Sequence, residues 1–149
     1  MHVSARSDYA VRATIELAAA GGGPLTAETL ATAQHIPQKF LNTILLDLKR
    51  ARIVGSQRGA EGGYFLTKAA DEISIADIMR AVEGQIAHVR GVRPEDLEYE
   101  GSAEPLQKVW VAARAALRSV LEKATVADVA QDRLPKSVSR LLDDPDAWR

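Results

Sequence analysis

Two adjacent stretches decide the fold of this chain: PQKFLNTILLDLKRA (residues 37–51) and IVGSQRGAEGGYFLT (residues 53–67). In the first, apolar residues recur every three or four positions, which predicts an amphipathic helix. Pro37 suits the first helical position, where the N–H that proline lacks is not needed. The stripe expected to be buried on this helix consists of Phe40, Leu41, Ile44, Leu45 and Leu48.

The second stretch predicts a β-hairpin. Ile53–Arg58 and Tyr64–Thr67 are rich in residues that favour strands, and the run Gly59–Gly63 between them favours a tight turn. A basic residue, Arg58, stands at the start of that turn. We therefore expect a short antiparallel pair of strands directly after the helix.

Two further helices are predicted upstream. One runs from Ser7 to Ala20, with Ser7 as its N-terminal cap, and ends at a glycine-rich stop. The other begins after Thr26, which caps it, and ends at about Gln34. The ordered set of short helix, tight turn, second helix and hairpin is the pattern of a winged helix-turn-helix.

The rest of the chain is predicted to be helical around one acidic loop. A helix from Ser74 to Val82 begins with a capping box. The longest helix runs from Pro105 to about Ala124, and a short return helix ends at about Ala130. The fold class is mainly α with a small β-hairpin wing and a long C-terminal dimerisation helix. The predicted division is a winged domain, an acidic loop, the dimerisation and return helices, and a flexible tail: residues 1–84, 85–104, 105–131 and 132–149.

Composition excludes several functions. The chain of 149 residues has no cysteine, so disulfides, thiolate metal sites and thiol catalysis are excluded. The three histidines, His2, His35 and His88, lack metal-ligand spacing. The glycine-rich run lies between strands instead of opening a helix, so it is not a nucleotide-binding fingerprint. We expect neither an enzyme nor a membrane-spanning segment, and the absence of an apolar leader favours a cytoplasmic location.

Charge is distributed unevenly along the chain. Residues 1–68 hold eight basic and five acidic side chains, a net charge of +3, whereas residues 69–149 hold eleven and fifteen, a net charge of −4. The basic surplus is densest between Lys39 and Arg58. A local positive face on an otherwise acidic protein is suited to binding DNA.

Several motifs resemble the Rrf-type (IscR/NsrR/CymR-like) family of bacterial transcriptional repressors. The resemblance covers nearly the whole chain to about residue 130. It rests on SDYAVRA, the Pro37–Leu48 helix, RGAEGGY, IADIMRAVEG, Trp110 and TVAD (residues 7–13, 37–48, 58–64, 75–84, 110 and 125–128).

This resemblance implies a homodimer in which the long helix crosses its counterpart. The residues expected on the dimerisation face are Val109, Trp110, Ala113, Leu117, Val120 and Leu121. Many family members sense through an iron–sulfur cluster held by three cysteines in the loop before that helix. Because this loop has none, we expect no such cluster; CymR-like members of the family also lack one and respond through a partner protein.

Double-stranded DNA is the expected partner. As in other helix-turn-helix proteins, the helix from Pro37 should enter the major groove with its N-terminal residues at base edges. The hairpin tip should insert Arg58 into the minor groove. Phosphate contacts are expected from residues around these two elements. The candidate DNA-binding residues are Gln38, Lys39, Asn42, Thr43, Arg58, Lys49, Arg50, Ser7, Thr26 and Tyr9.

Alternatives stay open at this point. A winged helix can serve as a protein-interaction module, or belong to a ligand-binding regulator without strong DNA specificity. The clustering of Lys39, Lys49, Arg50 and Arg58 favours DNA over a protein surface. The sequence does not distinguish a small-molecule effector from a protein effector.

Overall fold

The computed structural model describes residues 1–149 and contains seven α-helices and one hairpin. In chain order these elements are α1 (Ala5–Ala19), α2 (Ala27–Gln34), α3 (Gln38–Arg50), β1 (Val54–Gln57), β2 (Gly63–Leu66), α4 (Ile75–Glu83), α5 (Leu106–Leu121), α6 (Val126–Ala130) and α7 (Lys136–Ser139). The predicted winged helix-turn-helix is confirmed. No helix combines the length and the apolar character needed to cross a membrane.

One hydrophobic core holds the first four helices and the hairpin together. Helix α3 contributes Leu41, Ile44, Leu45 and Leu48, all with fully buried side chains. Helix α1 crosses this stripe with Ala10, Ala13 and Leu17. The small alanines let the two helix backbones approach closely, and the larger leucines fill the space between them. The polar face of α3 is thereby directed away from the core.

The cap of α1 is not where the sequence predicted it. Ser4, not Ser7, occupies the N-cap position, and its Oγ accepts a hydrogen bond of 3.0 Å from the Ser7 backbone N–H. Helix α1 therefore begins one residue after Ser4. Ser7 lies inside the first turn with its side chain fully buried.

The turn between α2 and α3 is short because His35 adopts a left-handed backbone conformation, with φ of 52°. Arg12 of α1 donates a hydrogen bond of 2.8 Å to the carbonyl of Gln34, at the end of α2. Pro37 occupies the N-cap of α3, one position earlier than predicted. These contacts fix the angle at which α3 leaves the turn.

The hairpin is paired with the loop before α2 as well as with itself. β1 and β2 are antiparallel, with Val54 opposite Leu66 and Gln57 opposite Gly63. At the base, Tyr64 exchanges two backbone hydrogen bonds with Leu25, of 2.9 and 2.7 Å. A Cβ on Gly63 would lie 2.5 Å from the Leu25 carbonyl, so only glycine allows this approach. The sequence analysis did not anticipate the bridge.

The C-terminal part of the chain returns to the winged domain through α6. The predicted capping box of α4, formed by Ser74 and Asp77, is present, and Thr125 and Asp128 form a second one on α6. Val126 is fully buried in the same core as α1 and α3. That core therefore includes a residue far beyond position 84, where the sequence placed the end of the winged domain.

The acidic loop is irregular, as the sequence predicted, whereas the tail is more ordered than predicted. Residues 85–104 are irregular apart from two short 3-10 turns, and Pro94 and Leu97 are buried. Residues 136–148, expected to be frayed, form α7 and two 3-10 turns instead. Val138 is buried, and this apolar anchor explains the ordered turns around it.

Helix α5 is less buried than the helices that form the core. It spans 16 residues and has no buried side chain. Within the chain it packs mainly against the 3-10 turn at Pro94–Asp96 and against α4. Trp110 donates a hydrogen bond of 3.0 Å from Nε1 to the hydroxyl of Tyr99. The helix is thus attached along one side only.

Candidate nucleic-acid interface

The N-terminal half of α3 presents a free polar surface. Gln38, Lys39 and Asn42 are exposed, and none of these side chains makes a hydrogen bond or an ion pair within the chain. Because the four buried residues of α3 fix the rotation of the helix, these three side chains are held on its outer face. Amide and ammonium groups in this arrangement can bond to base edges or phosphates.

Thr43 lies on the same face but is already engaged. Its Oγ1 donates to the carbonyl of Phe40 at 2.9 Å and accepts from Arg6 Nη1 at 3.2 Å. Arg6 also forms an ion pair with Asp47, one turn further along α3. The start of α1 is therefore tied to the middle of α3. Arg6 neutralises the one acidic residue on this face, a role that the sequence analysis missed.

Phe40 corrects the predicted buried stripe. Its side chain is 58% exposed, whereas the other four members of the stripe are fully buried. The five predicted residues span more of the helix circumference than the core covers. Phe40, at the start of the helix, lies outside the covered part. An exposed aromatic ring one turn before Thr43 can make apolar contact with a thymine methyl group.

Lys49 and Arg50 are the last two residues of α3, and this end of the helix lies beside the wing. Lys49 Nζ donates a hydrogen bond of 2.7 Å to Ser56 Oγ of β1, and Arg50 Nη1 lies 3.6 Å from an oxygen of Asp47. Both side chains are exposed, and their charge is favourable at a helix C-terminus. They extend the cationic surface from α3 to the hairpin.

Arg58 stands at the tip of the wing, directly after β1. It is exposed and has no hydrogen-bond or ion-pair partner in the chain. The next residue, Gly59, has φ of +114° and no neighbouring atom within 4 Å of the place where a Cβ would lie. Glycine is needed there for the backbone turn, and the space around the tip is open.

The three remaining candidates, Ser7, Tyr9 and Thr26, differ in how far their side chains are exposed. Ser7 is fully buried, so its hydroxyl cannot contact a phosphate in this conformation. Tyr9 is half-buried against the core, and the Arg12 guanidinium lies 4.9 Å from its ring centre. Thr26 is exposed as the cap of α2, and its Oγ1 accepts from the Thr29 N–H at 3.1 Å. Only Thr26 offers an accessible hydroxyl at a helix N-terminus.

The predicted dimerisation residues divide into two groups. Val109, which is 55% exposed, and Ala113 face solvent. The other four are half-buried: Trp110, Leu117, Val120 and Leu121. The predicted stripe is thus broader than the surface that the chain itself leaves free.

Comparison with known proteins identifies the family. The model of the Rrf2 family, described as iron-dependent transcriptional regulators, matches residues 3–132. This chain belongs to the Rrf2 family. A helix-turn-helix transcriptional regulator of Mycobacterium tuberculosis is 48% identical over 145 residues, which are 97% of this chain and 90% of that protein. This Rrf2-family chain is therefore a transcriptional regulator and not an enzyme.

Solved structures support the same assignment. CymR of Bacillus subtilis, whose structure is described as that of the global cysteine regulator, superposes with a TM-score of 0.75 at 32% identity, over 88% of this chain and 97% of CymR. IscR of T. potens superposes with a TM-score of 0.73 at 30% identity, over 89% and 88%. The winged-helix architecture of this Rrf2-family regulator is thus shared along nearly its full length.

The iron named in the family description has no fitting donor set in this member. The chain has no cysteine, and no three His, Asp or Glu side chains are grouped so that they could hold a metal ion. Where the loop meets α5, Gln107 donates a hydrogen bond of 2.8 Å to the carbonyl of Glu95. A side-chain amide and a carbonyl engaged with each other are poor ligands for an iron–sulfur cluster.

Proposed function

We propose that this Rrf2-family regulator is a homodimeric, sequence-specific DNA-binding repressor that works in the bacterial cytoplasm without an iron–sulfur cluster. One observation carries the proposal: Gln38, Lys39 and Asn42 are held on the solvent face of a helix whose opposite face is fully buried, and none has a partner in the chain. Unpaired donors and acceptors on a rigid helix are what base-edge recognition requires.

In this proposal α3 lies in the major groove. Asn42 can bond adenine at two points, and Lys39 favours the acceptors of guanine. Gln38 stands at the very start of the helix, where contact with either a base or a phosphate is feasible. Thr43, oriented by Arg6, presents its methyl group, and Phe40 adds an apolar contact.

The wing contacts the adjacent minor groove through Arg58. An arginine in a narrow minor groove gains from the enhanced negative potential there. Arg58 can extend from the tip at little cost because it gives up no contact within the chain. Lys49, Arg50 and Thr26 lie around these elements and serve as phosphate contacts, which predicts a steep loss of affinity with rising salt.

Two copies associate through α5. A 16-residue amphipathic helix without one buried side chain leaves apolar surface exposed that a second copy would cover. Val109 and Ala113 form the free part of that surface. A two-fold dimer would present two α3 helices to half-sites about 34 Å apart. A dimer seated on a promoter in this way would obstruct transcription, which is the basis for proposing a repressor.

Selective DNA binding is tested by gel shift with genomic fragments at moderate salt. The fragment bound most tightly then serves as the operator, and its base pairs are exchanged one at a time. Asn42→Ala should relax the preference at one base pair in each half-site by about 1–3 kcal/mol. Gln131→Ala, which removes an exposed amide directly after α6, is the matched control and should bind like the unchanged protein.

Two results would contradict the proposal. The first is equal retention of all fragments at a salt concentration where specific complexes survive. The second is a loss of affinity in Asn42→Ala that is the same for every base exchange, because a phosphate contact carries no sequence information.

A further inference from the structure

A polar cavity, broadly open to solvent, lies between the winged domain and α5. Its volume is about 420 Å³, and Ile86 is the one apolar side chain that lines it. One wall is the end of α4 with the residues that follow it, and the opposite wall is α5. The charged lining residues are Arg80, Arg93, Glu95, Arg114, Arg118 and Glu122.

The lining carries an excess of positive charge. Four guanidinium groups face two carboxylates, which leaves a net charge of +2. Arg114 pairs with Glu95, and Arg80 and Arg118 share Glu122. Arg93 has no hydrogen-bond or ion-pair partner. The Arg93 side chain is therefore engaged only by its longer-range attraction to Glu95. Arg80 and Arg118 share Glu122, and Arg80 also lies 3.9 Å from Asp77.

The two carboxylates stay ionised around neutral pH. The pKa of Glu95 is lowered, first by hydrogen bonding to its own backbone and then by the charges of Arg114 and Arg93. The pKa of Glu122 is lowered by hydrogen bonds from Arg80 and Arg118. The positive excess is consequently not increased by protonation of either glutamate over that range, and it is a fixed property of the cavity.

Guanidinium groups are planar forks whose N–H donors match carboxylate and phosphate oxygens. Four of them around one cavity, with little apolar lining, suit a small hydrophilic anion and not an apolar ligand. We propose that this cavity is a binding site for a small oxyanion metabolite that bears carboxylate or phosphate groups. Arg93 supplies a free fork, and Arg118 can turn from the shared Glu122 to the ligand.

Such a ligand would connect two parts of the molecule. Arg80 belongs to α4, whose Ile78 is fully buried in the winged domain, whereas Arg114 and Arg118 belong to α5. An anion held by both sides would add ties between α4 and α5, where few contacts exist. Ligand binding should therefore raise the thermal unfolding midpoint of the full chain.

The test is calorimetric titration of the full-length protein with sodium phosphate and with sodium succinate, at an ionic strength held constant with chloride. Saturable binding of at least one probe is expected, and the probe that binds better identifies phosphate or carboxylate as the preferred group. Arg93→Gln should weaken that binding by about tenfold, which corresponds to about 1.4 kcal/mol. Arg140→Gln removes an exposed arginine outside the cavity and should leave it unchanged.

The proposal is overturned if neither probe saturates above the chloride control, or if Arg93→Gln and Arg140→Gln bind alike. Because the Arg93 side chain is exposed and makes no hydrogen bond or ion pair, its replacement should leave the unfolding midpoint nearly unchanged in the absence of a probe. No DNA is present in the titration, so its result is independent of the DNA-binding proposal.

Discussion

Helices α3 and α5 are both amphipathic, yet only α3 buries its apolar side chains in the core of the chain. Four of the 13 residues of α3 are buried, whereas none of the 16 residues of α5 is. The apolar face of α3 is covered within the chain, so its polar face is what remains for a partner. In α5 part of the apolar face, around Val109 and Ala113, remains uncovered. In the function proposed above, the same type of helix serves two kinds of recognition, according to which face the fold leaves free.

The largest expected effect is on the covered face of α3. Leu45→Ala should lower the free energy of unfolding by about 2–5 kcal/mol, because Leu45 is fully buried and truncation leaves a cavity. Chemical denaturation measures this. Leu46→Ala is the adjacent control: its side chain is 47% exposed, and the expected change is within about 0.5 kcal/mol. Similar losses in both variants would show that α3 is not oriented as described.

On α5 the corresponding change should affect association and leave the fold intact. Val109→Asp places a charge on the exposed apolar surface and should weaken the dimer by about 30-fold, or about 2 kcal/mol. Sedimentation equilibrium measures the dissociation constant, and circular dichroism checks the helix content. Val129→Asp, at an exposed valine of α6, should leave association unchanged. An unaltered dimer in Val109→Asp would place the interface elsewhere.

A smaller effect is expected when the wing is altered. Arg58→Ala should lower DNA affinity by about tenfold, or about 1.4 kcal/mol, because it removes a cation that has no other partner. Fluorescence anisotropy with the operator measures it, while the sedimentation behaviour should stay that of the unchanged protein. Arg140→Ala is the control. An unchanged binding isotherm for Arg58→Ala would exclude the wing as a DNA contact.

The smallest effect concerns the tie between α1 and α3. Arg6 and Asp47 are partly exposed, so their coupling energy should be about 0.2–1 kcal/mol. A double-mutant cycle with Arg6→Ala and Asp47→Ala, followed by denaturation, gives this value directly. Strictly additive changes would mean that the pair contributes nothing to stability. Arg6→Ala should also weaken DNA binding, because it leaves the negative charge of Asp47 on the DNA-facing surface of α3, whereas Asp47→Ala should strengthen it.

The two amphipathic helices and the hairpin could be predicted from the sequence, because each depends on a local pattern of residues. The spacing of Leu41, Ile44, Leu45 and Leu48 predicted α3 and its buried face, and the glycine-rich run predicted the hairpin. Amphipathic spacing also predicted α5. Periodicity indicates which face of a helix is apolar, but it does not indicate whether that face is covered by the same chain.

The errors have local and non-local causes. Ser4 and Ser7 are both suitable caps three residues apart, and the sequence does not rank them. Phe40 fits the apolar spacing but lies beyond the edge of the core. The pairing of Arg6 with Asp47 joins positions 41 residues apart, and the arginines of the cavity come from three separate segments. Contacts of this kind depend on the path of the whole chain, which no local pattern reveals.

The bridge between Leu25 and Tyr64 anchors the base of the wing, whereas residues 58–62 at the tip make backbone contacts only within the wing. Residues 58–62, between the two strands, can therefore change in number without disturbing how the hairpin is seated. Doubling the length of such a loop adds only about 0.6 kcal/mol of closure cost. Insertions and deletions should accordingly be tolerated at the tip. Related regulators could vary the reach of the wing along the operator while the helices beneath it stay the same.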